Sequence, residues 1–553
     1  MKAHVYNHFT EILIQYGIPQ VFGMRIFPEM DLSKIRPINI HHETSAGLMA
    51  YGYARVSGKP GVITLNRPGT MNVIMALTEA WNSSVPIIVL MEGLALSSVG
   101  KNALYEQDQI GMVKPVSKWI GDITDISKAP EMLRKAFRIA TTGRPGPVVL
   151  NIRGMGATFS PQHHIDAEPF AEEEYANFPA MRIPPDPRQV EKTVQLLSQA
   201  QRPCIIAGGG VNLSRAWDSL KELAELGQFP VATTISGKGA FPENHPLSAG
   251  PIGAVVGGWL GRGRVSERVV KDSDVVLLVG TRTNEMATAR WSVPDPGATL
   301  IHIDIDQKEI GRNYQTRVGM MADARLALEA LVKELRKQSF QPRASRTEEI
   351  RQLLMSWRED NAAPANSNTV PIHPARLMRE VREFIGPDTI LVSDGSSPFM
   401  WATSHTFVEA GPTFITPRGT GAIGTGLPMA IGAKLAAPDK KVICFEGDGG
   451  IMCGIISELE VAARYNIAIV VIVFNNGAYL LEKNHMKEYA LSEEMNFLPG
   501  LNFANIAREF KCEGIRVERP DEIHGAIQRG LESGRPTLVD VALDAKEGFP
   551  SQR

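Results

Sequence analysis

Cysteine is scarce in this chain. Its 553 residues hold four, Cys204, Cys444, Cys453 and Cys512, and no two form a CxxC pair. That argues against a disulfide framework and against zinc or thiol-redox chemistry. Cys444 and Cys453, set in apolar stretches, read as buried free thiols. An excess of one charge is lacking too: 58 Lys and Arg stand against 60 Asp and Glu, a net charge of −2. A general nucleic-acid binder carries a basic surplus, so no nucleic-acid partner is expected. Long apolar runs are also missing. The longest, Ile467 to Phe474, is far too short to cross a bilayer. The opening MKAHVYNHFTEIL mixes polar residues into its first turns, unlike a signal peptide. A cytoplasmic protein with no membrane partner is the expectation.

What is present is enough apolar sequence, 43% against 21% charged, to bury several cores, and a length that suggests three domains or four. Two stretches read as linkers. The first runs from about Thr158 to Arg188 and carries Pro161, Pro169, Pro179, Pro184, Pro185 and Pro187. The second spans roughly Lys337 to His373, with one helix expected over Glu348–Glu359. They leave blocks of 1–157, 188–336 and 370–545, and a tail of 546–553. Short apolar, β-branched runs alternate with helical patterns in every block. They are Gly61–Leu65, Pro86–Leu90 and Pro147–Asn151; then Pro203–Ala207, Val275–Val279 and Leu300–Ile305; then Thr389–Val392, Lys441–Phe445, Ala468–Phe474 and Thr537–Val541. Continuous apolar strands followed by helices indicate parallel sheets covered on both faces. The fold class is therefore α/β, three doubly wound domains with mainly parallel sheets and ligands at the strands' carboxyl ends. No short internal repeat is visible.

Three glycine clusters compete for a ligand. Gly208-Gly209-Gly210 follows one apolar run and precedes a helical stretch, Arg215 to Leu226, as in a dinucleotide-binding turn. Gly419-Thr-Gly421-Ala-Ile-Gly424 matches GxGxxG ahead of a helical Leu427–Ala437, a weak signal alone. The third is sharper. One strand ends in Gly447-Asp448-Gly449-Gly450 and the next in Asn475-Asn476-Gly477, so two neighbouring strands deliver Asp448 and Asn475 to one sheet edge. A carboxylate and an amide oxygen suit a hard cation such as Mg²⁺. The glycines admit a diphosphate, and a helix beginning near Ile451 turns its free N–H groups towards that charge.

GDG followed at this distance by NN resembles the metal–diphosphate motif of thiamine diphosphate enzymes. The resemblance implies Mg²⁺ held by Asp448, Asn475 and the carbonyl of Gly477, with Ser396, Ser397, Gly421, Gly447, Gly449 and Gly450 around the cofactor. The segment His41-His42-Glu43 through Arg55 is similar to the one in which these enzymes place a glutamate, here Glu43, against the aminopyrimidine. That contact promotes loss of the C2 proton and formation of the thiazolium carbanion. Pro68-Gly69-Thr70 with Asn72, and Asp108 before Pro115, match as well. Ile423 matches the apolar side chain that bends the cofactor. The order implied is pyrimidine-binding, Rossmann-like middle and diphosphate-binding domains, in a homodimer or homotetramer whose sites use two subunits, as in the group of acetolactate synthases and benzoylformate and pyruvate decarboxylases.

The cofactor leaves the reaction open. One reading is a 2-oxo acid decarboxylase or an acetolactate synthase-like carboligase working through the carbanion and its enamine. Tyr479-Leu-Leu-Glu482-Lys483 resembles the GYTIEK run of pyruvate decarboxylases and makes Glu482 a candidate proton donor. His42 and Tyr105, the latter within Asn102–Gln109 (NALYEQDQ), are further catalytic candidates. A second reading is a 2-hydroxyacyl-CoA lyase or oxalyl-CoA decarboxylase, because Ser551-Gln-Arg553 resembles a tail that closes over acyl-CoA. The substrate is then a 2-oxo acid or an acyl-CoA. An FAD- or NAD-binding oxidoreductase is a third reading. FAD is doubtful, since Gly280-Thr-Arg282-Thr-Asn-Glu-Met286 departs from the run seen in FAD-containing synthases, although His302-Ile-Asp304-Ile-Asp306 matches well.

Overall fold

The computed structural model describes residues 2–24, 30–154, 164–254, 256–258, 260–338, 340–341, 344–486, 491–547 and 549. The Ser551–Arg553 tail motif lies outside the described residues. Three six-stranded sheets, each entirely parallel, organise the chain. Across the first sheet the strands run Arg36–Asn39, Gln20–Gly23, Gly61–Leu65, Ile87–Gly93, Val148–Arg153, Trp119–Ile123. Across the third they run Phe414–Ile415, Thr389–Ser393, Lys441–Gly447, Val470–Asn475, Thr537–Ala542, Glu513–Val517. Numbered in chain order within each sheet, both read 2-1-3-4-6-5. The first and last thirds of the chain thus share one topology, although no repeat shows in their residues. The middle sheet reads 3-2-1-4-5-6, the dinucleotide-binding order.

Every strand expected from an apolar run occupies a central sheet position, and the strands not foreseen lie towards the edges. Central strands are covered on both faces, so Ile87–Gly93 and Val275–Val279 are buried at every position. Outer strands such as Arg36–Asn39, Trp119–Ile123 and Val318–Met321 are partly exposed and carry mixed sequence. Both supposed linkers hold more structure than expected. His164–Asp166 pairs antiparallel with Lys2–His4. The helix after the middle domain extends over Thr347–Ala365, docked by buried Trp357, whose Nε1–H donates to the Leu260 carbonyl at 2.9 Å. Cys444 is buried as expected, but Cys453 is exposed, because its segment turns at the sheet edge instead of entering the core.

The first and third domains join through the helices Glu43–Ser57 and Gly426–Ala436, which follow corresponding strands. A Cβ on Gly52 would overlap the Met429 carbonyl, and one on Gly432 the Met49 carbonyl. Contact between 52 and 429 and between 49 and 432 makes the pair antiparallel, and only glycine permits so close a backbone approach. Buried Glu79 reinforces the joint by accepting from the N–H of Gly419 (2.9 Å) and from both N–H and Oγ1 of Thr420 (2.7 and 2.9 Å). The middle domain is fastened to the third by Glu243, buried between Lys238 Nζ (2.6 Å) and Arg262 Nη2 (2.5 Å), while Lys238 also donates to the Thr406 carbonyl.

Gly432→Ala is expected to cost about 1–3 kcal/mol, the range for overpacking, read as a lowered Tm. Gly525→Ala is the control, since a Cβ there meets only the flexible end of Arg529 at 3.9 Å.

Candidate active site

The carboxyl edge of the third sheet gathers the residues of the sharpest motif. Strands Lys441–Gly447 and Val470–Asn475 pair in register, Gly447 opposite Phe474, and so set Asp448 and Asn475 side by side just beyond their ends. The helix begins at Asp448 itself, not near Ile451, and covers Asp448–Met452. Asp448 Oδ1 accepts from the Gly449 N–H (2.8 Å), and Oδ2 from those of Asn476 (2.8 Å) and Gly477 (2.6 Å). Burial pushes its carboxyl up to about 6 in spite of these donors. Asn475 Nδ2 is committed to the Leu501 carbonyl (3.1 Å) and Asp540 Oδ1 (2.9 Å), and among the described residues its Oδ1 has no partner. Gly477 has φ +73 and open space where a side chain would be. A buried carboxylate with spare lone pairs, an oriented amide oxygen and an adjacent carbonyl form a donor set of the type a hard divalent cation takes.

Around this edge lie the other expected cofactor contacts. Half-buried Ser396 (φ 64) precedes the helix Ser397–His405, so Ser396 and Ser397 stand at a helix N-terminus beyond the strand Thr389–Ser393. Gly421 is exposed with φ +69, and Ile423 is half-buried in the same loop. Sequence reasoning missed what fixes that loop. Fully buried Asp394 accepts from Gly424 N–H (3.0 Å), Thr425 N–H (2.8 Å) and Thr425 Oγ1 (2.8 Å). Glu446 lies against it, its carboxyl pushed well above the usual range by burial and by Asp394, and accepts from the Leu427 N–H. The signal available was an acidic residue ending each of two apolar strands, too common a pattern to single out.

In the first domain, Glu43 opens its helix, buried to 4% exposure. Asn72 Nδ2 donates to its Oε2 at 2.9 Å, and Gly69 lies against its side chain. The other catalytic candidates sit differently. His42 is exposed and caps the helix, its Nδ1 accepting from the Thr44 N–H at 3.3 Å. His41 bonds Glu460 at 2.7 Å. Glu482 is 56% exposed, with His485 3.9 Å away. Tyr105 is half-exposed, its backbone at φ +61. Asp108 caps a short helix through the Gly111 N–H at 2.8 Å.

A separate cavity of about 420 Å³ opens at the carboxyl ends of the middle strands, where all three domains meet. Gly209, Gly210, Asp304 and Asp306 line it, together with Arg55, Arg144, Arg282 and Arg418. His302 lies behind, buried, its Nε2 2.9 Å from the Thr281 carbonyl. Burial raises Asp304 to about 6, and Asp306 pairs with Arg144 at 3.3 Å.

Two domains of one topology, one carrying a buried glutamate beyond its edge strand and the other an Asp–Asn edge, flanking a dinucleotide-type domain, define a class. The chain belongs to the thiamine pyrophosphate enzyme family. Residues 4–112 match its N-terminal thiamine pyrophosphate-binding domain, 190–331 its central domain and 394–541 its C-terminal thiamine pyrophosphate-binding domain. Within that family it is similar to a probable acetolactate synthase large subunit of Methanococcus aeolicus, 31% identical over 97% of this chain and 90% of that one. It is equally similar to the acetolactate synthase isozyme 1 large subunit of Escherichia coli, 31% identical over 98% and 93% of the two chains. Among the described residues no helix is long and apolar enough to cross a membrane.

Asp394→Asn turns an NH₂ group towards the N–H donors of the loop. It should lower stability by about 1–3 kcal/mol, the cost of a buried unpaired donor. Thr425→Val, which removes only a hydroxyl, should lower Tm less.

Proposed function

We propose that this chain is a thiamine diphosphate- and Mg²⁺-dependent enzyme that breaks and forms a C–C bond on a 2-oxo acid, with acetolactate synthase-like carboligation as its net reaction. The observation that carries the reading is the buried Glu43, held by Asn72, on a sheet whose topological twin carries Asp448 and Asn475. Similarity to acetolactate synthase large subunits along nearly the whole chain supports it.

Asp448, Asn475 and the Gly477 carbonyl would hold Mg²⁺, and Ser396, Ser397, Gly447, Gly449 and Gly450 would face the diphosphate. Gly421 and Ile423 would flank the cofactor. Thiamine diphosphate, when bound, supplies an electron sink for the bond broken beside the substrate carbonyl. With Asn72 on Oε2, Glu43 keeps Oε1 to share a proton with the cofactor's ring nitrogen. Glu482 has no side-chain hydrogen bond among the described residues to place a proton.

The antiparallel helix pair supports a shared site. With crossing points 49–432 and 52–429, Glu43 and Gly426 lie at opposite ends of the pair, roughly 18 Å apart at a rise of ~1.5 Å per residue. One cofactor is then held by Glu43 of one protomer and Asp448 of its partner, in a homodimer or homotetramer. The arginine-lined cavity supports a second, anionic ligand of nucleotide type, FAD or ADP. Visible absorbance of the purified protein separates the two.

Calorimetric titration with Mg²⁺ should show thiamine diphosphate binding that Asp448→Ala weakens by about two orders of magnitude or more, since even an outer-shell partner of a metal site is worth about 10–100-fold; unaltered affinity would falsify the metal assignment. Glu43→Gln should still bind cofactor but slow C2–H exchange, followed by NMR. Co-expressed Glu43→Gln and Asp448→Ala chains should regain carboligation, because the mixed dimer keeps one intact site. Persistent inactivity of the mixture would place both residues in one chain's site.

A further inference from the structure

The carboxyl edge of the first sheet carries a cation that the motif matches leave unused. Arg67 stands two residues beyond the strand Gly61–Leu65, where the strand order reverses and a doubly wound sheet opens its binding crevice. Two residues later comes Gly69, packed so closely on Glu43 that a Cβ would lie 2.7 Å from the glutamate's Cγ. The Arg67 side chain is only 14% exposed. Its Nη1 donates to the Leu104 carbonyl at 3.0 Å, and its Cζ lies 5.8 Å from the centroid of the Tyr105 ring. Buried Glu92 is 3.4 Å from Nε, yet Nε has no hydrogen-bond partner among the described residues. A guanidinium has five N–H donors in a planar fork, and this one spends a single hydrogen bond on the described residues.

Two further features show that the group is held ready. Glu92 lowers the cost of keeping Arg67 away from water without closing its fork. Tyr105 adopts φ +61, a strained conformation for a bulky residue, of the kind retained at ligand sites; here it sets the ring beside Arg67. Arg153, at the end of a nearby strand, is engaged instead, its Nε reaching both oxygens of Asp122 at 2.8 and 3.0 Å.

An open guanidinium fork fits a carboxylate. A donor 2-oxo acid loses its carboxylate as CO₂, so a firm ion pair to it would stabilise the ground state and oppose the reaction. An acceptor 2-oxo acid keeps its carboxylate throughout, and the same ion pair carries no such penalty. We propose that Arg67, oriented by Leu104 and Tyr105, is the specificity-determining anchor for the carboxylate of the acceptor 2-oxo acid. The assignment rests on the carboligase reading above.

The test lets 2-oxobutanoate and propanal, which differ by the carboxylate, compete for the same pyruvate-derived donor, with product ratios read by chromatography. This ratio is independent of how much enzyme is folded. Arg67→Met should shift it towards the aldehyde product by about tenfold or more, the scale of a charge-assisted hydrogen bond, and Arg67→Lys should recover part of the shift. An unchanged ratio in Arg67→Met, with both products still formed, overturns the anchor and leaves the carboligase reading standing. A wild-type protein that fails to bind thiamine diphosphate by titration, or binds it and ligates neither acceptor, overturns the carboligase reading and the anchor with it.

Discussion

The close crossing of two helices through Gly52 and Gly432 is the contact on which the rest of this molecule depends. It brings two sheets of identical strand order together within one chain with their carboxyl edges at opposite ends of the helix pair. Glu43 and the loop of Gly421–Gly424 are each placed relative to that crossing, and Glu79 ties the second loop to the first domain by three hydrogen bonds. The middle domain, bound to the third through Glu243, closes the arrangement and creates the three-domain cavity.

The candidate site works by burial and backbone more than by surface charge. Asp448 gathers three backbone N–H groups, Asp394 two more and a hydroxyl, and Glu446, its carboxyl pushed up by burial, lies beside it. These buried carboxyl groups shape loops as well as offering ligand atoms. A net charge of −2 fits the proposed site, where a polyanionic cofactor would be met by a cation and by N–H groups instead of a basic face. Where arginines are used, they are local and aimed: Arg67 at one sheet edge, and the four that line the cavity.

Legibility followed burial. Central strands were readable because both faces are covered, which forces continuous apolar sequence. Arg36–Asn39 and Trp119–Ile123 were not, since a half-exposed edge strand accepts almost any residue. The spacing of Asp448 from Asn475 was readable because both stand at the ends of neighbouring strands joined by two short helices, Asp448–Met452 and Glu458–Arg464. Asn72 was noticed only as part of a match; its hydrogen bond to Glu43 spans 29 positions and exists only through the fold. His42 and Glu482, attractive as titratable residues beside motifs, lie exposed, because chain proximity does not decide which way a side chain is turned.

By itself the sequence determined the three α/β domains and pointed to thiamine pyrophosphate, since parallel sheets demand apolar runs and the glycine, aspartate and asparagine at two strand ends resemble the family's motif. Only the tertiary structure decided the shared topology of the outer domains, the antiparallel joint that separates Glu43 from the loop of Gly421–Gly424, and the open fork of Arg67. Those depend on which surfaces meet across hundreds of residues, and a backbone contact between two glycines leaves almost no trace in local sequence.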